Sequence, residues 1–426
     1  MSESFLHYLW KYQYFHKEEL ATTEGEPLRI FSAGVYNTDA GPDFNHARIQ
    51  VGDMQWVGNI EIHIQGEDWD RHRHSTDDAY ENVVLHVIWG NPKTIARRDG
   101  SIIPTLVLRE RVNERLIFSY RKLINSFENV PCAQQLSGIP DIIRISALDN
   151  ALSIRLEHRA REVLAHLEKN KGDWDETTYQ LLARNFGFKI NSEPFAQLAH
   201  LVPLRIIQKH ADKPQVVESI LYGAAGFLDD ACHDEYYNLL RREFNVIRQK
   251  YPSLERSLHK MQWKFLRLRP SNFPTLRIAQ FAALLREKRN IFTSLLECDT
   301  RTSLVTFFSN EPSAYWETHY HFRKKANAVP RLGHDSIHTL SLNTVVPLLA
   351  AYAIARDDYS YMERALTLLH ELPAESNRIV REWSLLSFRS KSAYESQALI
   401  ELYNNFCSKR RCLDCSIGAY LLKPPV

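Results

Sequence analysis

GPDFNHARIQVGDMQWVGNIEIH, residues 41–63, decides how the first part of this chain folds. FNHARIQV and MQWVGNIEIH are short, rich in β-branched and aromatic residues and largely alternating, as extended strands are, and Gly52-Asp53 between them suits a two-residue hairpin turn. Asp43 opens the first strand, while Glu61 and His63 lie two apart on the second and project to one face. Carboxylates with a nearby imidazole are the side chains that hold a divalent cation and orient or deprotonate an attacking water, the needs of phosphodiester hydrolysis. Reversal at Gly52-Asp53 sets Asp43 beside Ile62, out of phase with Glu61. One bulge, for which Gly58 is the obvious place, would bring both carboxylates to one face; alternatively Asp43 lies before the regular strand, where Pro42 already loosens the ladder.

Outward from the hairpin, RIFSAGVYN, ENVVLHVIW and SIIPTLVLRE read as further strands bounded by Gly, Pro, Asn or Asp. The first twenty residues and RVNERLIFSYRKLINSF (111–127) have helical periodicity and would cover the sheet. Residues 1–130 are thus expected to form an α+β domain with a mostly antiparallel sheet. From 140 to 405 the strand signals vanish and apolar residues recur at helical spacing, which predicts a large all-α domain. Pro131, Gly138 and Pro140 mark the soft boundary, and residues 406–426 form a cysteine-rich segment expected to pack on the helices.

At 426 residues the chain is too long for one ordinary core, and its formal charge of +2 excludes a polycation throughout. Any nucleic-acid surface must be a local patch. KFLRLRPSNFPTLRIAQFAALLREKR (264–289) supplies Arg267, Arg269 and Arg277, and YHFRKKANAVPR adds Arg323, Lys324 and Lys325 beside aromatic rings. Such clusters can neutralise phosphates and stack bases, and they equally suit a solvated helix face or internal ion pairs. The N-terminus lacks the charge and apolar pattern of a signal peptide, and VVPLLAAYAIA (345–355) is too short to span a bilayer, so it reads as a buried helix. No membrane association is expected. Six cysteines in so long a chain suit a cytoplasmic protein whose thiols are reduced or metal-bound.

Two further clusters carry chemistry. EDWDRHRHSTDDAYENVVLHV places His72, His74 and His86 shortly after the hairpin. Convergence there would make a histidine-rich site for Mn, Fe or Zn, although polar loop residues are usually solvated and a strand histidine is more often a hydrogen-bonded core residue. Near the end, Cys407, Cys412 and Cys415 have the C-x4-C-x2-C spacing that gathers three thiolates on Zn²⁺ or an iron–sulfur cluster. The fourth ligand is open among Cys132, Cys232, Cys298 and the pair His334 and His338.

Pro42-Asp43 followed by Glu61-Ile62-His63 resembles the core of the PD-(D/E)XK nucleases. That resemblance implies that Asp43 and Glu61 bind Mg or Mn, and that His63 stands where the family has a lysine that positions the nucleophilic water. Histidine lacks lysine's long, permanently charged ammonium, so the resemblance leaves three roles for His63: a base, a third ligand, or the mark of a lineage without activity. The whole chain also resembles a bacterial family known only as a domain of unknown function, through GPDFNHARI, GNIEIH, DWDRHRH, YENVVLHVIW, LRPSNFPTLRIAQ and the final cysteines. The sequence thus leads to a metal-dependent nuclease of DNA or RNA with Asp43, Glu61 and His63 as catalytic residues. A non-catalytic nucleic-acid scaffold and a histidine-rich small-molecule metalloenzyme are the alternatives.

Overall fold

The computed structural model describes residues 1–230 and 232–424. The chain divides into two units, one of residues 1–147 with 402–426 and the other of 148–401. The cysteine-rich C-terminal segment therefore groups with the sheet unit rather than with the helices on which it was expected to pack.

The sheet unit begins with α1 (Glu3–Tyr12), capped by Ser2 Oγ, which accepts from the Phe5 N–H at 3.3 Å. Phe5, Leu6, Leu9 and Trp10 form its buried stripe. Then follow β1 (Leu28–Ser32), β2 (Val35–Tyr36), β3 (Phe44–Val51) and β4 (Met54–Gln65). After a short α2 (Asp68–Arg71) come β5 (Val83–Gly90), a small hairpin of β6 (Ile95–Ala96) with β7 (Ile102–Ile103), and β8 (Thr105–Val107). The covering helix α3 (Glu114–Ile124) closes the run.

Strand order is β1-β3-β4-β5-β8, with β2 also on β3. The first half of this sheet is antiparallel, as expected. The second half is not: β4 to β5 is parallel because the chain crosses back through α2 and two short 3₁₀ turns, and β5 to β8 is parallel because it returns through the β6–β7 segment. Ile60, Ile62, Val83, Leu85, Val87 and Leu106 are fully buried, each worth about 1.5–3 kcal/mol of apolar burial. Burial on both faces is what turns ENVVLHVIW into a near-continuous apolar run.

Asp43 lies just before β3, and a bulge exists as well, but not at Gly58. Phe44 faces Ile60 and Ala47 faces Gly58, so Asn45 and His46 together oppose Asn59. His46 takes up the extra residue with a left-handed φ of 58°. Gly58 has a different task. A Cβ there would lie 2.4 Å from Val84 Cγ1 and 2.5 Å from the Asn82 carbonyl, so glycine permits the close approach of β4 to β5.

In the second unit, helices pack around a core that includes Tyr179, Phe186, Phe195 and Phe281. Pro274–Glu287 is its most enclosed helix, with every residue from Pro274 to Leu285 buried. One helix, His334–Arg356, is long and apolar enough to cross a membrane by length and composition, and 72% of its apolar window is buried inside the protein.

Candidate metal centre

Register sets Glu61 opposite His86 on the parallel neighbour, so Glu61, His63 and His86 occupy one face of the sheet. Above that face the chain leaves β4 through α2. Asp68 steadies this exit by accepting from the Gln65 N–H at 3.0 Å and pairing with Arg71 at 2.8 Å. Arg73 then adopts a left-handed φ of 62°, which bends the chain between His72 and His74. The imidazoles of His63, His72 and His74 converge so that one donor atom of each lies within 4.8 Å of the other two. His72 is exposed, while His63 and His74 are buried.

The closest spacings resemble the edges of a coordination sphere. His63 Nε2 lies 3.2 Å from His72 Nδ1 and 3.4 Å from Glu61 Oε1, and His74 Nε2 lies 3.2 Å from the same Glu61 oxygen. Four ligands at about 2.05 Å around one ion would have edges of about 3.3 Å. His74 Nε2 is close to Glu61 but out of line for a hydrogen bond, and it has no other partner. A buried nitrogen aimed at a shared point without a bond is the condition a cation would relieve.

The surroundings keep this set fixed and neutral. His63 Nδ1 lies 2.9 Å from His86 Nε2, a contact that fixes the ring and leaves Nε2 toward the trio. Tyr80 stacks on His74 with ring centroids 3.8 Å apart, and Trp69, bonded through its indole N–H to Ser75 Oγ at 3.0 Å, packs edge-on against His63, His74 and His86. Burial, and then the neighbouring imidazoles, pushes His63 down to about 2. Burial likewise takes His86 down to about 4 and lowers His74. These rings are neutral at physiological pH, the form in which imidazole binds metal. Glu61 moves the opposite way. Burial first, then the charge of Asp43, raises it to about 9.

Asp43 and Glu61 are joined through the backbone. The Ile62 N–H donates to Asp43 Oδ2 at 2.9 Å, and the Asp43 N–H donates to Glu61 Oε2 at 3.3 Å. His7 of α1 reaches Asp43 Oδ2 at 3.3 Å and the Tyr36 hydroxyl at 3.4 Å. Burial opposes charge on His7, but Asp43, Glu3 and Glu61 together outweigh it and raise its pKa. His7 was not anticipated as a site residue. Its signal was a histidine inside the apolar pattern of the first helix.

The structure therefore gathers Asp43, Glu61, His63, His72, His74 and His86 in one place. The proposed phosphate contacts fare unevenly. Arg267, Arg269, Arg323, Lys324 and Lys325 are exposed. Arg277 is buried, donates to Gln280, Asn272 and Ser336 at 2.6–3.0 Å, and lies over the Phe188 ring. Its basic stretch runs through the most enclosed helix, so this guanidinium is an interior tie and not a surface contact, a correction to the sequence reading.

With this geometry established, comparison with known proteins adds a family. A sequence model described as "Protein of unknown function (DUF2851)" matches residues 3–378, and the chain belongs to that family. No curated protein and no solved structure matches the chain.

Proposed function

We propose that this chain is a metal-dependent hydrolase of phosphodiester bonds whose cation is held by His63, His72 and His74, with Glu61 at the edge of the site. The observation that carries the reading is the convergence of three imidazole donors within 4.8 Å beside a buried carboxylate. Three nitrogen donors suit Mn, Fe or Zn better than Mg, which prefers oxygen ligands and several waters. This moves the expected metal from the Asp43–Glu61 pair alone toward the histidines.

A cation there would act as a Lewis acid and bring a water into its nucleophilic form near neutral pH. With a cation in place Glu61 would lose its proton, and Oε1, 3.2–3.4 Å from the His74 and His63 nitrogens, could take the proton of that water. Asp43 holds the Ile62 N–H and thereby keeps the Glu61 strand in register. Arg73, exposed beside His72, offers positive charge to an anionic substrate, while Arg71 is paired with Asp68. The resemblance of Pro42-Asp43 and Glu61-Ile62-His63 to nuclease cores supports the phosphodiester class.

One observation favours a second reading on small substrates: of the three ligand imidazoles, only His72 is exposed. The test covers both. The purified chain is analysed for bound metal and then assayed with Mn²⁺ or Zn²⁺ on bis(p-nitrophenyl) phosphate, single-stranded DNA and RNA. Mn or Zn near one equivalent, and cleavage lost in both His72→Ala/His74→Ala and Glu61→Gln, is the expected result. Retention of that Mn or Zn in the double variant refutes the ligand set. Metal bound without cleavage of any of the three substrates refutes the hydrolase and leaves a scaffold.

A further inference from the structure

The sequence left Cys407, Cys412 and Cys415 with an undecided partner. Three of the candidates, Cys232, Cys298 and the pair His334 and His338, belong to the helical unit, whereas Cys132 lies in the same unit as the C-terminal cysteines. Cys132, Cys407, Cys412 and Cys415 are all buried and none forms a disulfide.

Three observations bring them together. Arg410, between Cys407 and Cys412, donates to the carbonyls of Glu128 at 2.8 Å and Ser126 at 2.7 Å, which ties the C-terminal turn to the loop that leads into Cys132. Burial holds the Cys132 thiol up to about 12, and the next contributions come from Cys415 and Cys412; the Cys407 thiol is raised by burial and then by Cys415, Cys132 and Cys412. Burial raises the Cys415 thiol as well, against the lowering effect of the backbone at Gly418 and Ile417. Gly418 also lets the closing helix, Ser416–Leu422, press against the Cys412 carbonyl, because a Cβ there would sit 2.0 Å from that oxygen.

Buried, unpaired thiols in such number have a use when deprotonated on a metal. Spacing selects which one. A single tetrahedral Zn²⁺ with bonds of about 2.3 Å would hold its sulfurs about 3.8 Å apart. Among the described residues the three histidines are the one trio of candidate ligands whose donor atoms all lie within 4.8 Å, so no three of these sulfurs stand that close. A cluster that offers a separate iron to different thiolates accommodates a wider set.

We propose that Cys132, Cys407, Cys412 and Cys415 bind an iron–sulfur cluster that staples the loop after α3 to the C-terminal turn. Each thiol gives up its proton on binding. The site is independent of the histidine centre and its role is structural.

The full chain, purified without oxygen, should contain iron and inorganic sulfide in equal amounts, about two to four of each, with absorbance in the visible region. Cys132→Ser and Cys415→Ser should each lose them, while Cys298→Ser and His72→Ala/His74→Ala keep them. Zinc without sulfide, iron and sulfide retained in Cys132→Ser, or no iron even after anaerobic reconstitution with ferrous iron and sulfide would each overturn the proposal. Alkylation of the natural chain guards against variants that misfold. Cys132, Cys407, Cys412 and Cys415 should resist iodoacetamide until iron is chelated, then react as the unstapled loop and turn part, with the helix content by circular dichroism unchanged. Equal labelling of Cys132 before and after chelation also overturns it.

Discussion

Replacement of His86 tests whether the histidine centre is a preorganised metal site. His86 is fully buried, touches no proposed ligand atom, and bonds through Nε2 to His63 Nδ1 at 2.9 Å. Its own Nδ1 has no partner, so its one polar contact orients His63. His86→Leu keeps the volume and removes the hydrogen-bond partner, while His86→Gln keeps a polar group that can reach the same atom. Loss of a partner that orients a metal-bound histidine costs about 10- to 100-fold in affinity, or about 1.4–2.7 kcal/mol. The metal-free chain would be titrated with Zn²⁺ or Mn²⁺ in competition with a fluorescent chelator. His86→Leu should bind 10- to 100-fold more weakly than the natural chain, and His86→Gln within a few-fold of it. If the leucine variant binds as tightly as the natural chain, or the glutamine variant as weakly as the leucine one, the orienting role of His86 is wrong.

Five other substitutions have defined outcomes. Gly58→Ala forces a methyl against the Asn82 carbonyl, so β4 must move off β5; unfolding should become easier by about 1–3 kcal/mol in denaturant titration, and metal affinity should fall because Glu61 and His63 ride on β4. Arg277→Ala should lower the melting temperature while Arg267→Ala and Arg269→Ala leave stability within about 0.5 kcal/mol, because only Arg277 is a buried donor. Burial raises the pKa of Glu218, whose Oε2 accepts from Tyr236 at 2.7 Å and Trp316 at 2.9 Å. The folded state keeps that proton longer than the unfolded chain, so its contribution is complete below the ordinary value of about 4.3 and is lost as pH rises through the raised one. Glu218→Gln should therefore gain in melting temperature relative to the natural chain as pH rises above about 4, and a difference that does not vary with pH would contradict this.

The hairpin was legible because both its strands and its turn are local: Val51 and Met54 do flank a two-residue turn at Gly52-Asp53. The parallel half of the sheet was not, since direction depends on the crossover through α2, and a strand sequence is the same whichever way its neighbour runs. Parity arithmetic pointed to a bulge and could not place it. Glycine is the usual marker, yet His46 carries the left-handed backbone. His72 and His74 were visible as candidates, but their convergence on His63 needs the turn at Arg73, which no residue type announces. His7 reaches Asp43 across 36 positions, where periodicity has no reach.

The sheet unit is assembled from the first 147 residues and the last 25, with the helical unit between them. During synthesis the N-terminal portion leaves the ribosome long before Leu402 does. At about 5–20 residues per second, the 254 intervening residues impose a wait on the order of tens of seconds. Throughout that wait the surface that later receives the closing helix stays uncovered in the nascent chain. Translation pauses or premature stops in the final stretch should therefore yield chains with a finished helical unit and a sheet unit exposed to chaperones and proteases.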